Sequence, residues 1–271
     1  MLVIKNNIMA ENAARHVGQS YDSLARSVER LSSGLRINSA KDDAAGLAVR
    51  ELMRADIAVM KQGTRNAMDG ISMLQTMEGA MATIDGCLVR MKELAEQAST
   101  ETYSEEQRNI MNNEFQQMIE EINRIATTAN FNSVNMLDNS ASNVIHFGED
   151  SYITVTSVDV QTSALIDSAS IAISGTDGSN AQDALGLVTT AIERKDSARA
   201  SLGYMMNRLE STTEVLQIQA ENMMASESRV SDVDVATEMA AFTRNQVLTQ
   251  AGVSMLAQAN TMPQMALNLL R

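Results

Sequence analysis

The sequence predicts a mainly α-helical fold in which long helices form a coiled-coil rod with a small β-hairpin region. Three observations lead to this prediction. Apolar residues recur at heptad spacing over long stretches, which is typical of packed helices. Aromatic side chains are scarce, with four Tyr, four Phe and no Trp, so burial depends on aliphatic seams. Pro263 is the single proline, and because proline breaks helix interiors, its rarity favours unbroken helices.

The first predicted helix has apolar residues at alternating spacings of four and three, as in a coiled-coil seam. These residues are Val17, Tyr21, Leu24, Val28, Leu31 and Leu35. The stretch SSGLRINSAKDD, residues 32–43, then interrupts the pattern with a Gly and an Asn. Ser39 and Asp42 in this stretch form a Ser-x-x-Asp variant of the capping box, which predicts that a new helix begins here.

Three further helices follow in the predicted order. The second extends from residue 42 to about residue 99, and a turn at 101–105 leads into the third, which ends near residue 129. The fourth carries one heptad frame from residue 185 to residue 230. Each has apolar residues three and four apart, so each presents one side to a common core.

The segment at about 139–180 is the predicted β-hairpin region. Apolar residues alternate in the pairs Ile153/Val155, Val158/Val160 and Ile171/Ile173, and the turn-rich SGTDGSN follows them. Alternation of this kind, closed by a turn, predicts short strands.

The last predicted helix resembles the first in how it starts. Ser231 and Asp234 repeat the Ser-x-x-Asp pattern and mark its beginning. Its apolar stripe consists of Leu248, Met255, Met262 and Leu269, with alanines between them. Neither terminal arm can bury its stripe alone, so we expect the arms to pair with each other or with other molecules.

These patterns predict two domains. A terminal coiled-coil core domain combines residues 1–43 with residues 232–271, and a helical rod domain covers 44–231 and contains the β-hairpin region. The two breaks between them are interpreted as a joint between the rod and a two-helix stalk.

Composition disfavours several kinds of partner. The net charge of −13 predicts neither a nucleic acid nor an anionic membrane surface as partner. No stretch reaches the roughly 18 apolar residues of a membrane span, and the start of the chain lacks the apolar segment of a secretory signal. The single cysteine, Cys87, cannot form an internal disulfide and is expected to be half-buried and unreactive.

The sequence predicts no catalytic, metal or cofactor site, and so no enzyme. The stretch GLRINSAK lacks the spacing of a phosphate-binding loop. Asp232 and Asp234 are not followed by the ligands of a calcium loop, and helix capping explains them better. His16 and His146 lie far apart in the chain, with no ligand cluster at metal-binding spacing.

Four glycines of the second helix need a reason, because each costs up to about 1 kcal/mol relative to alanine. They lie at seven-residue spacings in the pairs Gly63/Gly70 and Gly79/Gly86. Two explanations stay open: close backbone approach between neighbouring rods, or simple tolerance in a well-packed bundle.

Several long motifs resemble those of bacterial flagellins. LSSGLRINSAKDDAAGLAVRELM, GISMLQTMEGAM and NFNSVNML are similar to their amino-terminal region, and ENMMASESRVSDVDVATEMAAFTRNQVLTQ to their carboxy-terminal region. The resemblance covers roughly 1–138 and 187–271, joined here by 139–186. Many flagellins insert variable outer domains at this point, so the resemblance implies a short form that lacks them.

The resemblance implies a structural subunit that self-assembles into the helical flagellar filament used for motility. The alternative is a hook-filament junction protein, which caps a filament instead of growing it. Implied partners are other flagellin subunits, hook-associated junction and cap proteins, and a flagellar export chaperone. The implied location is the extracellular filament, reached by type III export without a cleaved signal peptide. In the monomer, the terminal arms are expected to be largely disordered and to fold on polymerisation.

A recognition patch for the host Toll-like receptor for flagellin is also implied by the resemblance. The positions that match the family's patch are Arg90, Leu94 and Glu114. Arg90 and Leu94 are four residues apart on one helix, and Glu114 belongs to the returning helix. The alternative is that Arg90 and Glu114 are ordinary solvated or inter-subunit charges.

Overall fold

The computed structural model describes residues 6–138, 142–148, 151–166 and 171–269, with side chains described up to residue 262. Its fold is mainly α, as predicted, with long helices that pack against one another and two small antiparallel strand pairs. The elements are α1 Ile8–Ser33, α2 Ala44–Ser99, α3 Glu105–Thr128, β1 Asn130–Phe131, β2 Val134–Asn135, β3 Asn143–His146, β4 Tyr152–Val155, α4 Thr162–Ile166, α5 Ser179–Ser231 and α6 Val235–Leu269.

The chain divides into two compact units. The first unit comprises Met1–Ile57 and Glu221–Arg271, and the second comprises Ala58–Ala220. None of the described helices is both long enough and apolar enough to cross a membrane.

The second unit has one continuous aliphatic core formed by α2, α3 and α5. The heptad positions of α2 lie in this core, which confirms their predicted role. Fully buried residues include Leu74, Met81, Ile84, Leu88 and Met91 of α2, Phe115 and Ile122 of α3, and Val188, Leu202 and Leu209 of α5. Each helix thus covers the apolar side of the other two, as the hydrophobic effect requires.

Polar contacts align α2 and α5 in antiparallel directions. The Lys195 ammonium donates to the carboxylates of Asp85 and Asp196, and Arg199 Nη2 lies 2.9 Å from Glu78 Oε1. Burial alone would lower the pKa of Lys195, but the hydrogen bonds to Asp196 and Asp85 outweigh it, so this pKa lies above its usual value. The buried ammonium is therefore kept charged by its two partners.

Arg108 of α3 is buried and binds backbone carbonyl groups. Its Nε donates to Ala98 O at 3.0 Å and its Nη1 donates to Thr176 O at 3.0 Å. A further bond reaches Thr100 O, at 3.3 Å. Because buried carbonyl groups need donors, this one side chain ties the α2–α3 turn to the loop before α5.

The predicted β-hairpin is present as β3 and β4, which pair antiparallel with Ile145 opposite Ile153. Ile153 and Val155 belong to β4, as their alternation predicts. The strand prediction is wrong at Val158/Val160 and Ile171/Ile173, which lie outside the strands. The predicted β region also contains the short helix α4, and its residues 139–141, 149–150 and 167–170 lie outside the described residues.

The alternation at these two pairs has another physical cause. Val160, Ile171 and Ile173 are buried in the core of the second unit. Their backbone groups bond to other elements instead of to a strand: Val160 N–H donates to Leu137 O, and Ile173 N–H donates to Asn112 Oδ1 at 2.9 Å. Extended covering segments bury alternate side chains just as strands do.

The structure contains a second, shorter strand pair that the sequence pattern does not predict. β1 and β2 pair antiparallel across a tight turn in which Asn132 and Ser133 have φ of 50° and 66°. Two-residue strands are too short to show a period of two in the sequence.

Two of the four spaced glycines have a reason inside the chain. A Cβ on Gly63 would lie 2.6 Å from the carbonyl oxygen of Phe147, and one on Gly70 would meet the side chain of Ile145. The hairpin therefore approaches α2 closely at these positions, so neighbouring rods are not needed to explain them. For Gly79 and Gly86, no described atom lies within 4 Å of an added Cβ, and both explanations stay open there.

We expect Asp85→Ala to lower the free energy of unfolding by about 1–2 kcal/mol, because it removes one partner of the buried Lys195 ammonium. The measurement is chemical denaturation followed by circular dichroism. Because the pKa of Lys195 is raised, its contribution is present below about pH 10.4 and is lost as the pH rises through the raised pKa. The wild type should therefore lose more stability at high pH than the variant does.

Asp69→Ala is the matched control, since it removes an exposed carboxylate from the same helix. Equal losses in the two variants, or identical stability profiles above pH 10, would contradict the role given to the Asp85–Lys195 contact.

Candidate assembly surface of the terminal helices

Helices α1 and α6 pair along their length in the first unit. The Asn7 side chain caps α1 by accepting from Ala10 N–H, and its Nδ2 donates to Ala259 O at 2.8 Å. At the other end of α1, Arg30 Nη1 lies 3.7 Å from Glu238 Oε2. Since the start of α1 contacts the far end of α6, the two helices are antiparallel.

Few residues are fully buried at the contact between α1 and α6. The buried residues here are Val17 and Ser27 of α1 and Thr249 of α6. A Cβ on Gly252 would lie 2.7 Å from Cγ2 of Val17, so the helices lie too close for a larger side chain at that position. The pair therefore buries little apolar area, and the hydrophobic effect stabilises it weakly.

The predicted seam of α1 is divided between two sides of the helix. Val17 is buried, and Leu24 and Leu31 are half-buried on the side that contacts α6. Tyr21 and Val28 are exposed, at 52% and 49%. Three-four spacing marks two adjacent rows of residues on a helix, and the pairing covers one of them.

The predicted stripe of α6 does not form the contact with α1. Leu248 and Met255 are 51% and 64% exposed, and Met262 is half-buried. The side chain of Leu269 lies outside the described residues. The row that faces α1 is shifted by one residue and contains Thr249 and Gly252, because small side chains permit the close approach.

α6 carries two charged residues, Glu238 and Arg244, and keeps large apolar residues exposed on the sides that do not face α1. We call the exposed large apolar residues of the two helices the assembly surface: Ile8, Met9, Tyr21, Val28, Val235, Met239, Val247, Leu248, Val253 and Met255. Clusters of exposed large apolar residues mark interaction sites, so this surface predicts a partner.

The two breaks in the helices, which the sequence predicts to be a joint, meet inside the first unit. Arg36 N–H donates to Ser231 O at 2.7 Å, and Val233 N–H donates to Gly34 O at 3.1 Å. Gly34 ends α1 with a φ of 74°, a conformation that glycine adopts without strain. Leu35 therefore lies beyond the end of α1, in a bridge to Asp232 and not in the helical seam.

The capping residues differ in part from the predicted ones. α2 is capped by Asp43, whose Oδ1 accepts from Gly46 N–H at 2.9 Å, and not by Ser39 or Asp42. Asp42 instead accepts from the hydroxyl and the N–H of Ser39, which closes a turn before the helix and lowers the pKa of Asp42. The correction arises because Ser39, Asp42 and Asp43 lie within five residues and offer alternative caps, of which local geometry selects one.

α6 is capped by Asp234, whose carboxylate accepts from Ala236 N–H and from the hydroxyl of Thr237. These bonds, with Thr237 as the largest cause, lower the pKa of Asp234. Ser231 does not begin α6: it is the buried last residue of α5, and its carbonyl accepts from Arg36. The Ser-x-x-Asp pattern therefore spans the end of one helix and the start of the next.

The residues of the predicted recognition patch are divided between surface and core. Arg90 Nε donates to Glu114 Oε1 at 2.8 Å, and both side chains are well exposed. This bond, together with one to Glu93, raises the pKa of Arg90. Leu94 is 1% exposed and packs in the core of the second unit, so its side chain does not join Arg90 and Glu114 on the surface.

No chemistry-bearing cluster stands out among the residues described. Groups of three or more His, Cys, Asp or Glu with metal-binding geometry are absent from this part of the chain. Cys87 is half-buried, and burial and the nearby Glu121 raise the pKa of its thiol. The candidate functional site is therefore the assembly surface on α1 and α6.

Family comparisons agree with the two helical regions. The model of the bacterial flagellin N-terminal helical region matches residues 4–142, and that of the C-terminal helical region matches residues 185–270. A solved structure, the crystal structure of Bacillus cereus flagellin, is similar with a TM-score of 0.51 and 28% identity, covering 60% of this chain and 94% of that one.

Curated relatives match along their full length. A flagellin of Halalkalibacterium halodurans is 44% identical over 275 residues, covering 100% of both chains. The flagellar filament 33 kDa core protein of Treponema phagedenis is 38% identical over 293 residues, again covering 100% of both. Full coverage of both chains at these lengths leaves no room for a large outer domain between the terminal regions. The chain belongs to the bacterial flagellin family, as a short form without an outer domain.

Proposed function

We propose that copies of this chain bind one another through the assembly surface when they build the flagellar filament. The function of filament subunit follows from the family, and polymerisation with other flagellin subunits is part of it. The observation that carries the proposal is that large apolar residues of α6, Leu248 and Met255 among them, stay exposed while α1 covers the side with Thr249 and Gly252. The remaining sides need burial, and a second copy offers a matching apolar surface.

The two helices differ in charge, which suggests how the copies are arranged. α1 has an acidic residue in its first turn and a basic residue in its last, Glu11 and Arg30, with further charges between them. α6 has Glu238 near its start and Arg244. Because charged side chains resist burial, α6 is the helix that other copies enclose more completely.

The terminal arms become ordered when they polymerise, in this proposal. The α1–α6 contact buries Val17, Ser27 and Thr249, which is little for two helices of 26 and 35 residues. A helix pair with so small a core is marginal in water unless further surfaces cover it. The second unit has its own large core and folds without help from neighbours.

The division into a terminal domain of 1–43 with 232–271 and a rod domain of 44–231 remains a proposal about function. Its support is the joint, where the backbone bonds of Arg36 and Val233 connect the two breaks. The segments beyond the joint carry the assembly surface, and the segments before it lead into the second unit.

Further parts of the proposal come from the family resemblance. They are export through the flagellar type III apparatus without a cleaved signal peptide, a chaperone that binds the exposed carboxy-terminal arm, and contacts with hook-associated junction and cap proteins. The exposed apolar residues of α6 support the chaperone, since such a surface requires cover before export. The alternative function, a hook-filament junction protein, would use the same surface but would stop growth.

We expect Leu248→Ser to reduce seeded filament growth by roughly tenfold or more, because each added copy then loses the burial of one leucine. The assay is electron microscopy and sedimentation of purified chain, dissociated by heat and returned to polymerising salt with short seeds. Gln250→Ser is the control, since it changes an exposed polar residue of the same helix.

The wild type separates the two functions in the same assay. Long filaments of uniform width support the filament subunit, whereas seeds that stay short and accept no further subunits indicate a junction protein. Unchanged filament growth by the Leu248→Ser variant would indicate that copies contact each other through other residues.

Limited proteolysis tests the ordering of the arms. We expect trypsin to cut free subunits first within residues 1–43 and 232–271, and to leave the same sites intact in filaments, because the arms gain a core only on assembly. Mass spectrometry of the early fragments gives the order of cleavage. Arms that resist trypsin as well as the second unit does in free subunits would contradict this.

A host-receptor role for Arg90 and Glu114 is a second proposal, supported by their exposed ion pair. We expect Arg90→Ala and Glu114→Ala to lower receptor signalling in reporter cells, because each removes a charge that a partner could bind. Arg124→Ala is the control, since it breaks another exposed ion pair, with Glu121. Full signalling by both variants would leave these two residues as inter-subunit or solvated charges.

A further inference from the structure

Some methionines of the chain are buried in the core of the second unit, and others are exposed on the assembly surface. In the second unit, Met77, Met81, Met91 and Met136 are buried in the core, at 4% exposure or less. On the assembly surface, Met9, Met239 and Met255 are 66%, 46% and 64% exposed. An oxidant in solution therefore meets the thioethers of the assembly surface before it meets those of the core.

We propose that Met9, Met239 and Met255 are modification sites at which a peroxide blocks polymerisation of the free subunit. This inference rests on the proposed function, because it requires that copies bury the assembly surface. The strongest case is Met255, which is the most exposed methionine among the described side chains of α6 and lines the groove between α1 and α6, together with His16, Leu248 and Gly252.

The chemical step is an oxygen-atom transfer. The lone pair of the methionine Sδ attacks one oxygen of hydrogen peroxide, an S–O bond forms and the O–O bond breaks. Sulfur loses two electrons and becomes a sulfoxide, while the peroxide is reduced and leaves as water after proton transfer. The step needs no residue of the protein as catalyst, so selectivity comes from exposure.

Methionine sulfoxide is unfavourable in the buried position that Met255 takes when copies bind one another. A sulfoxide is a strong hydrogen-bond acceptor, and burying it without a donor is unfavourable. The groove beside Met255 contains donors such as His16 and Asn245, but the large aliphatic residues of the assembly surface, Leu248 among them, carry none, so burial against them leaves a sulfoxide without a partner. In a filament the same thioether is covered, so a subunit is sensitive before it is incorporated and protected afterwards.

Competition between oxidised and intact molecules tests the inference in the wild-type chain. Free subunits are treated with hydrogen peroxide until about half of the Met255 is oxidised, and are then added to seeds. Mass spectrometry measures the sulfoxide fraction at each methionine in the sedimented filaments and in the supernatant. We expect sulfoxide at Met255 to be depleted in the filaments by roughly tenfold, as fits the loss of a buried apolar contact.

Met68 is the internal control, because it is 50% exposed but belongs to the second unit. Its sulfoxide should be shared evenly between filaments and supernatant. Equal fractions of Met255 sulfoxide in the filaments and in the supernatant would overturn the inference. It would also be overturned if, among molecules with intact Met255, Met68 sulfoxide were depleted in the filaments as strongly as Met255 sulfoxide is.

A variant with Met9, Met239 and Met255 all changed to Leu gives the second measurement. We expect it to elongate seeds after a peroxide treatment that stops the wild type, whereas Met68→Leu should stay sensitive. Loss of growth in the treated triple variant to the same extent as in the wild type would also overturn the inference. Failure of untreated wild-type chain to elongate seeds would instead contradict the proposed function, so the two failures are distinguishable.

Discussion

The structure depends on one physical constraint: a long helix with apolar residues along it must have those residues covered. In the second unit the chain meets this constraint by itself, because α2, α3 and α5 each cover the apolar sides of the others. In the first unit two helices are available, and large apolar residues of both stay exposed. The proposed division between a rod with its own core and terminal arms that polymerise rests on this difference.

Small residues decide how the apolar area of the terminal helices is divided. The contact between α1 and α6 centres on Val17, Ser27, Thr249 and Gly252, with Leu24 and Leu31 half-buried beside them. Leu248 and Met255 consequently stay on the outside. In the proposed function these large apolar groups are available to other copies, where their burial would stabilise a filament and not a single subunit.

Buried polar groups hold the second unit to one geometry. Arg108 satisfies carbonyl groups of two separate loops, and Lys195 connects α5 to α2 through Asp85. The hairpin lies against α2 because Gly63 and Gly70 leave room for its backbone and for Ile145. These contacts give the unit a specific register in addition to its aliphatic core, so subunits of uniform shape are available for assembly.

The sequence by itself determined the long helices, the positions of their breaks and the family, because heptad spacing, Gly34 and the flagellin motifs are local signals. It could not show that Asp43 caps α2, that Leu94 is buried, or that Val158/Val160 lie in a covering segment. Those outcomes depend on which groups the folded chain brings close together. Only the tertiary structure decided that Thr249 and Gly252, and not Leu248 and Met255, face α1. The physical reason is that an apolar stripe marks a side that needs cover, whereas close packing selects the partner that covers it.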